Sequence, residues 1–175
     1  MNRIQGKTRV VMGGVAFVSI VLGTFLFLSS MGYTPDPLYT PSRSRETVEP
    51  LETAIITAYA KTEVPVEYIR GIVAWECGND LSRNVKNRNG TIDHGPGLNS
   101  RWLEEFAWRF NDGKKIDPHS LEAITITAKI LSNNYKVLHD WDWAISSYRW
   151  GVQGTIMHGV DRYYVNSVKK LGRSE

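Results

Sequence analysis

The sequence contains only one cysteine, Cys77, and almost no segment with the alternating pattern of a β-strand. A single thiol cannot form an internal disulfide, so a disulfide-stabilised scaffold is excluded. The composition is not biased either, since 42% of the 175 residues are hydrophobic and 22% are charged. This balance excludes a disordered or collagen-like chain. The length suffices for one globular domain with a substantial core.

Charge is absent from a long stretch near the N-terminus. After Arg3, Lys7 and Arg9, the next charged residue is Asp36. These three account for 3 of the 21 basic residues, so the rest of the chain carries the other 18 together with all 18 acidic residues. A balanced domain without a basic stripe offers no surface for a phosphate backbone. Nucleic acid is therefore not an expected partner.

The uncharged stretch predicts a membrane segment. Residues 10–28 are without charge and mostly apolar, and a helix of about 20 such residues spans a bilayer core. Because every charge before this stretch is basic, the positive-inside rule places residues 1–9 in the cytoplasm and the following chain on the other side. We predict a single-pass anchor at residues 10–31. A cleaved signal peptide, which would leave a soluble exported protein, is the alternative.

The remainder divides into a linker and one domain. Residues 32–50 contain four prolines and no apolar periodicity, which predicts an extended spacer. Residues 51–175 predict a mainly α-helical domain, with a loop or short hairpin at residues 83–99. The predicted helices cover residues 51–62, 65–77, 102–110, 117–135, 143–148 and 160–171.

Glu76 does not fit the face of the helix on which it lies. It follows Ile69, Ile72 and Val73 by seven, four and three residues, so it shares their apolar face. Burial and the negative end of the helix dipole both disfavour a carboxylate and raise its pKa. A raised pKa suits a general acid at neutral pH. Alternatively, Glu76 turns to solvent at the helix end or caps a loop amide.

Three segments of the domain follow one another in the order of a known family's motifs. They read IRGIVAWECGND, NGTIDHGPGLNSRW and DWAISSYRWG. They resemble, in turn, the helix-Glu-x-Gly signature, the substrate loop and the A-[IL]-x-x-Y-N-x-G motif of the lytic transglycosylase (SLT) family. The resemblance covers nearly all of the domain. It implies a lysozyme-like helical fold and peptidoglycan glycan strands as substrate. Together with the predicted anchor, this substrate predicts a bacterial inner-membrane protein with its domain in the periplasm.

The resemblance also implies roles for individual residues. Glu76 matches the catalytic acid, and Tyr148 matches a tyrosine that hydrogen-bonds or orients it, although Tyr148 could equally be a core residue. The chain departs from the family by lacking the loop Gln, where Pro96-Gly97 stands instead, and by carrying Arg149 in place of Asn. The predicted substrate-binding residues are Asp93, Gly95, Leu98, Asn99, Ser100, Trp102 and Arg149.

Other functions compete with the transglycosylase interpretation. Asp93 could serve with Glu76 as the second carboxylate of a lysozyme-type hydrolase, or it could hold a turn. A glycan-binding or assembly protein of low activity on the same fold is a further alternative. A cysteine peptidase using Cys77 and His94 is disfavoured, because the helix end and Glu76 oppose a thiolate. No metal or other cofactor is implied, and the sequence names no protein partner.

Overall fold

The computed structural model describes residues 48–173. Within this range the chain forms six α-helices and one small sheet, so the predicted mainly α-helical class is confirmed for this part of the chain. The strands are β1 (Asn84–Lys86), β2 (Ile92–His94) and β3 (Leu98–Asn99). The helices are α1 (Val48–Thr62), α2 (Val66–Cys77), α3 (Leu103–Phe110), α4 (Glu122–Leu138), α5 (Trp141–His158) and α6 (Arg162–Gly172).

Most helix boundaries differ from the prediction by a few residues, and three of the differences have a clear local cause. Helix α1 begins at Val48, three residues before the predicted start, because a proline is tolerated within a first helical turn. Helix α4 begins at Glu122 rather than at Asp117, since Asp117 forms a separate turn in which Oδ1 accepts from the His119 amide at 3.0 Å. Helix α5 extends far past residue 148, but Gly151 interrupts it with φ 71° and ψ 161°.

Helices α2 and α6 pack side by side with their backbones in close contact. A Cβ atom at Gly71 would lie 2.0 Å from the Val168 carbonyl oxygen, and one at Gly172 would lie 1.8 Å from the Glu67 carbonyl oxygen. Only glycine allows such an approach. The pairs 71–168 and 67–172 run in opposite directions along the two helices, so the helices are antiparallel. The C-terminal end of α2 therefore lies beside the N-terminal part of α6.

Buried side chains form two hydrophobic clusters. The larger joins α1, α2, α4, α5 and α6 and includes Ile72, Ile124 and Ile145, all fully buried. The smaller cluster connects the sheet and α3 to α4, which contributes to both clusters and thus holds the sheet against the helices. Its buried members are Leu98, Ala107, Ile116, Ala123 and Ile126.

The sheet and the turn that follows β2 lie between α2 and α3 in sequence. Strand β2 is central and antiparallel to both neighbours, with Asp93 opposite Val85 on one side and Asn99 on the other. Beyond β2, Gly95 has φ +49°, and a Cβ there would lie 2.3 Å from the Pro118 carbonyl oxygen. This contact presses the turn at residues 95–97 against the chain that precedes α4.

The predicted N-terminal tail, the anchor at residues 10–31 and most of the predicted linker lie outside the described residues. Among the helices of residues 48–173, none combines the length and the apolar character needed to cross a membrane.

Candidate active site

Glu76 occupies the last turn of α2, which ends at Gly78 in the left-handed conformation with φ 63°. Its side chain is only partly exposed. Oε1 accepts a hydrogen bond of 2.6 Å from the hydroxyl of Tyr164, a fully buried residue in the first turn of α6. The antiparallel contact of α2 with α6 thus brings the two side chains together. The carboxyl group is neither turned to open solvent nor used to cap a loop amide.

The environment of Glu76 favours its protonated form. Burial raises the pKa of its carboxyl group from 4.5 to about 7, and the negative charge of Asp93 adds to this rise. The Tyr164 hydrogen bond and the positive charges of Arg149 and Arg83 act in the opposite direction. Desolvation is the largest of these effects, so it decides the outcome. The direction agrees with the sequence prediction and matches the needs of a general acid near neutral pH.

The second carboxyl oxygen of Glu76 faces a glycine. A Cβ atom on Gly97 would lie 3.1 Å from Glu76 Cγ and 3.3 Å from Oε2. Gly97 also has φ +91°, a conformation that glycine adopts without strain. Within residues 48–173, Oε2 accepts no hydrogen bond. One oxygen of the carboxyl group is therefore fixed by Tyr164, and the other lies beside Gly97.

Tyr148 holds the turn that covers Glu76. Its hydroxyl donates to the Pro96 carbonyl oxygen at 2.8 Å and lies 3.2 Å from Thr127 Oγ1. Burial raises the pKa of Tyr148 well above its ordinary value, so the hydroxyl keeps its proton. The sequence predicted that Tyr148 hydrogen-bonds or orients Glu76. In the structure Tyr164 makes that hydrogen bond, and Tyr148 orients the backbone beside the carboxyl group.

Tyr164 was missed by the motif comparison, although the sequence carries a signal for it. It shares one helical face with Val165 and Val168, and all three are fully buried. A tyrosine on an apolar face requires a partner for its hydroxyl. The same argument that singled out Glu76 on α2 therefore applies to Tyr164 on α6. What the sequence does not show is that the two faces meet.

Asp93 is held by amides within the sheet. Its Oδ1 accepts from the Asn99 side chain at 2.6 Å and its Oδ2 from the Asn87 side chain at 2.9 Å. Both asparagines also donate to Thr91 Oγ1, each at 3.0 Å. This network joins β2 to β3 and to the turn between β1 and β2. Both oxygens of Asp93 have neutral donors, which fits the turn-holding alternative, while its charge still acts on Glu76.

Gly95 and Leu98, two of the predicted substrate-binding residues, are buried. Gly95 packs against the Pro118 carbonyl oxygen, and the Leu98 side chain is fully enclosed in the smaller hydrophobic cluster. Neither offers an exposed side chain to a ligand. Their positions explain the shape of the loop instead: one residue fixes the turn before Gly97 and the other anchors β3.

The remaining loop residues lie nearer the surface. The side chain of Asn99 is partly exposed and serves the Asp93 network, and Ser100 Oγ accepts from the Ile92 amide at 3.0 Å. Trp102 is partly exposed at the start of α3, with the Arg101 guanidinium 5.1 Å from its ring centroid. An indole in this position retains area for stacking on a sugar. Sugar contact by Ser100 and Trp102 stays a prediction.

Arg149 lies close to the carboxyl group without a hydrogen bond to it among those described. It forms an ion pair of 3.0 Å with Asp161, and its guanidinium carbon is 5.7 Å from the Tyr164 ring centroid. Both charged side chains are largely removed from water, with 16% and 18% of their surfaces exposed. The residue that departs from the family pattern is thus part of the surroundings of Glu76.

The cysteine peptidase alternative loses support in the structure. Cys77 is fully buried and donates to the Val73 carbonyl oxygen, and burial raises the pKa of its thiol to about 12. His94 packs edge-on against His119 instead, with ring centroids 5.3 Å apart. Sequence spacing gave no sign of this histidine pair. Across residues 48–173 no cluster of three or more His, Cys, Asp or Glu side chains could hold a metal ion.

An open cleft lies between α1 and the start of α4, and it shares no residue with the surroundings of Glu76. Its largely apolar lining consists of Pro50, Thr53, Ala54, Thr57, Lys61, Leu121, Glu122 and Thr125.

Comparison with known proteins gives no relative: no protein-family model, no curated protein and no solved structure matches the chain.

Proposed function

We propose that this protein is a peptidoglycan lytic transglycosylase with a lysozyme-like domain, which cleaves the β-1,4 bond between N-acetylmuramic acid and N-acetylglucosamine. The observation that carries the proposal is the state of Glu76. Its carboxyl group has a pKa raised to about 7 by burial, one oxygen fixed by Tyr164, and the other oxygen beside Gly97. The three motif resemblances supply the substrate class.

In the first step Glu76 acts as the acid. Because Tyr164 donates a hydrogen bond to Oε1, the carboxyl proton of the neutral acid is carried by Oε2. Oε2 transfers this proton to the glycosidic oxygen, the bond from that oxygen to the muramoyl C1 breaks, and N-acetylglucosamine leaves with a free 4-hydroxyl group. Positive charge then builds on the muramoyl ring, and the Glu76 carboxylate lies beside it.

In the second step Glu76 acts as the base. Its carboxylate takes the proton of the muramoyl C6 hydroxyl, and the resulting oxygen attacks C1 to close a 1,6-anhydro ring. No water is consumed, and the acid form of Glu76 is restored. Tyr164 can stabilise the carboxylate between the two steps, since a hydrogen bond to a charged acceptor is about twice as strong as a neutral one.

The hydrolase alternative requires a second carboxylate that acts on the sugar or on water. Asp93 is the candidate, and its charge does reach Glu76. However, both of its oxygens accept hydrogen bonds from asparagine amides. A nucleophile or base in this position would have to give up one of these bonds, so the arrangement favours the route that uses Glu76 alone.

The test is digestion of purified peptidoglycan sacculi by the full-length chain, with mass spectrometry of the released muropeptides. We expect 1,6-anhydromuramoyl ends from the wild type and no release by Glu76→Gln. Reducing ends that depend on Asp93 would show a hydrolase instead. A wild type that binds sacculi but releases nothing would leave a glycan-binding or assembly protein. Glu105→Gln, at an exposed ion pair on α3, is the matched carboxyl-to-amide control.

We further propose that residues 10–31 anchor the protein in the bacterial inner membrane and that the domain acts in the periplasm. The uncharged stretch and the basic residues before it support this orientation. The N-terminal sequence of the mature protein from cells tests it. A start at or near Met1 agrees with an anchor, and a start near Thr34 means that a signal peptide has been removed.

A further inference from the structure

Asp161 joins α5 to α6 through both of its carboxylate oxygens. Oδ1 accepts from the backbone amide of Tyr164 at 3.0 Å and so caps the N-terminus of α6. Oδ2 accepts from Arg149 at 3.0 Å and from the Trp150 indole at 3.3 Å, both on α5. The Asp161 amide donates in turn to Ser146 Oγ at 2.9 Å. One residue therefore fixes the start of the helix that carries Tyr164.

Arg149 contacts the ring of the same tyrosine. Its guanidinium carbon lies 5.7 Å from the centroid of the Tyr164 ring and 5.0 Å from that of Trp150. The cation thus stacks on the ring whose hydroxyl donates to Glu76. Such a contact is attractive because the ring face carries partial negative charge. Gly151 ends the regular part of α5 two residues later, so the cation lies near a helix C-terminus, where it is stabilised.

We propose that the Arg149–Asp161 ion pair positions the Glu76 site: Asp161 fixes Tyr164 on Glu76, and Arg149 places beside them a positive charge that Asp161 compensates. This inference rests on the proposed function of Glu76 as the acid. It assigns a role to Arg149, the residue that departs from the family pattern, and to Asp161, to which no motif pointed. Both act through Tyr164 and Glu76 and need no contact with substrate.

The physical reason for a pair rather than a lone arginine is charge balance. A lone cation beside Glu76 would favour its carboxylate, and the acid would lose its proton at neutral pH. Asp161 lies 3.0 Å from the guanidinium, so its negative charge offsets part of the effect of Arg149, which still lowers the pKa of Glu76. The structure then keeps the stacking contact of Arg149 on Tyr164 without ionising the acid.

Other groups also act on Glu76 and must stay constant in a test. Tyr164 donates from α6, Asp93 acts from β2, and Arg83 acts from the loop before β1. Tyr148 of α5 and Cys77 of α2 are both neutral, because burial raises the pKa of each. The variants below leave all of these residues unchanged.

The experiment compares Asp161→Asn, Arg149→Gln and the double variant in the full-length chain. Asparagine is a good helix N-cap, so Asp161→Asn preserves the bond to the Tyr164 amide, while it removes the charge and the oxygen that accepts from Arg149 and Trp150. Each variant is measured for the pH profile of sacculus turnover and for the carbon chemical shift of the Glu76 carboxyl group during an NMR titration. Glu52→Gln is the matched control, since it removes the charge from another interhelical ion pair, with Arg70.

We expect opposite shifts from the two single variants. Asp161→Asn leaves Arg149 without its counter-charge, so Glu76 should ionise at lower pH and the alkaline limb should move down by about half a pH unit or more. Arg149→Gln removes a cation and uncovers Asp161, so the limb should move up by a similar amount. In the double variant the Glu76 titration midpoint should return toward that of the wild type. Turnover should still be lower, because Tyr164 loses its contact with the Arg149 guanidinium. Glu52→Gln should move nothing.

Two results would overturn the proposal. The first is a Glu76 titration midpoint that is unchanged in both single variants. The second is a midpoint that shifts in the same direction in both, as a general loosening of the fold would produce. Because the NMR titration needs no turnover, the ion-pair proposal can be judged in a chain that cuts nothing. A wild type without turnover but with the expected pair of opposite shifts would refute the enzyme and retain the electrostatic role.

Discussion

Replacing Glu76 by glutamine should stabilise the protein at alkaline pH. Folding raises the pKa of this carboxyl group, through burial, from 4.5 to about 7, so the folded state binds a proton more tightly than the unfolded state does. Stability is then lost as pH rises above 4.5 and levels off above about 7. Two and a half pKa units correspond to about 3 kcal/mol. Glutamine is neutral at every pH and keeps an oxygen that can accept from Tyr164.

The assay is urea or thermal unfolding of the full-length chain at pH 5 and pH 8, followed by fluorescence of the six tryptophans. The wild type should lose about 2 to 3 kcal/mol of unfolding free energy relative to Glu76→Gln between the two pH values. A difference of 3 kcal/mol shifts the melting temperature of a domain of this size by about 10 °C. If the stability gap between wild type and variant is the same at both pH values, the claim that Glu76 is desolvated is refuted.

Three further predictions concern neighbouring residues. Removing the hydrogen bond by Tyr164→Phe should raise the Glu76 pKa further, so the alkaline limb of activity should move up by about one pH unit; a downward shift would contradict the assigned donor. Gly97→Ala should lower turnover about tenfold or more, because the added methyl group meets Glu76. Gly90 also has a positive φ, but a Cβ there meets no atom within 4 Å, so Gly90→Ala should lower only the stability of the fold. Equal turnover in the two variants would contradict the contact between Gly97 and Glu76. Burial and the nearby His119 lower the pKa of His94 in the folded state. The unfolded state therefore takes up the proton first as pH falls below 6.5, and stability is lost. The unfolding free energy of His94→Gln should fall less between neutral and acid pH than that of the wild type.

Local pattern was sufficient to predict most of the helices. The apolar periodicity of α2 placed Glu76 on a buried face, and Gly78 marked the end of that helix. The errors arose where a local signal had two meanings. Asp117 before a proline is typical of a helix start, yet here it forms its own turn. Gly151 permits a break in α5 that periodicity cannot distinguish from a helix end.

The partners of the candidate acid depend on contacts between distant parts of the chain, and these are not encoded in spacing. Tyr164 meets Glu76 because glycines at two positions let α2 and α6 approach closely. A periodicity argument identifies each buried polar residue separately, but it does not tell which buried donor meets which buried acceptor. The histidine pair, His94 with His119, was missed for the same reason.

The two departures from the transglycosylase pattern both lie near Glu76 or its partner Tyr164. The turn with Pro96-Gly97 brings Gly97 against the carboxyl group, and Tyr148 holds that turn by the Pro96 carbonyl oxygen. Arg149 stacks on Tyr164, the tyrosine that donates to the carboxyl group. If the missing glutamine only weakened the grip on the glycan, its replacement would not need to contact the acid. Gly97 instead lies against the carboxyl group of the proposed acid, so Gly97→Ala tests whether this departure acts on Glu76 itself.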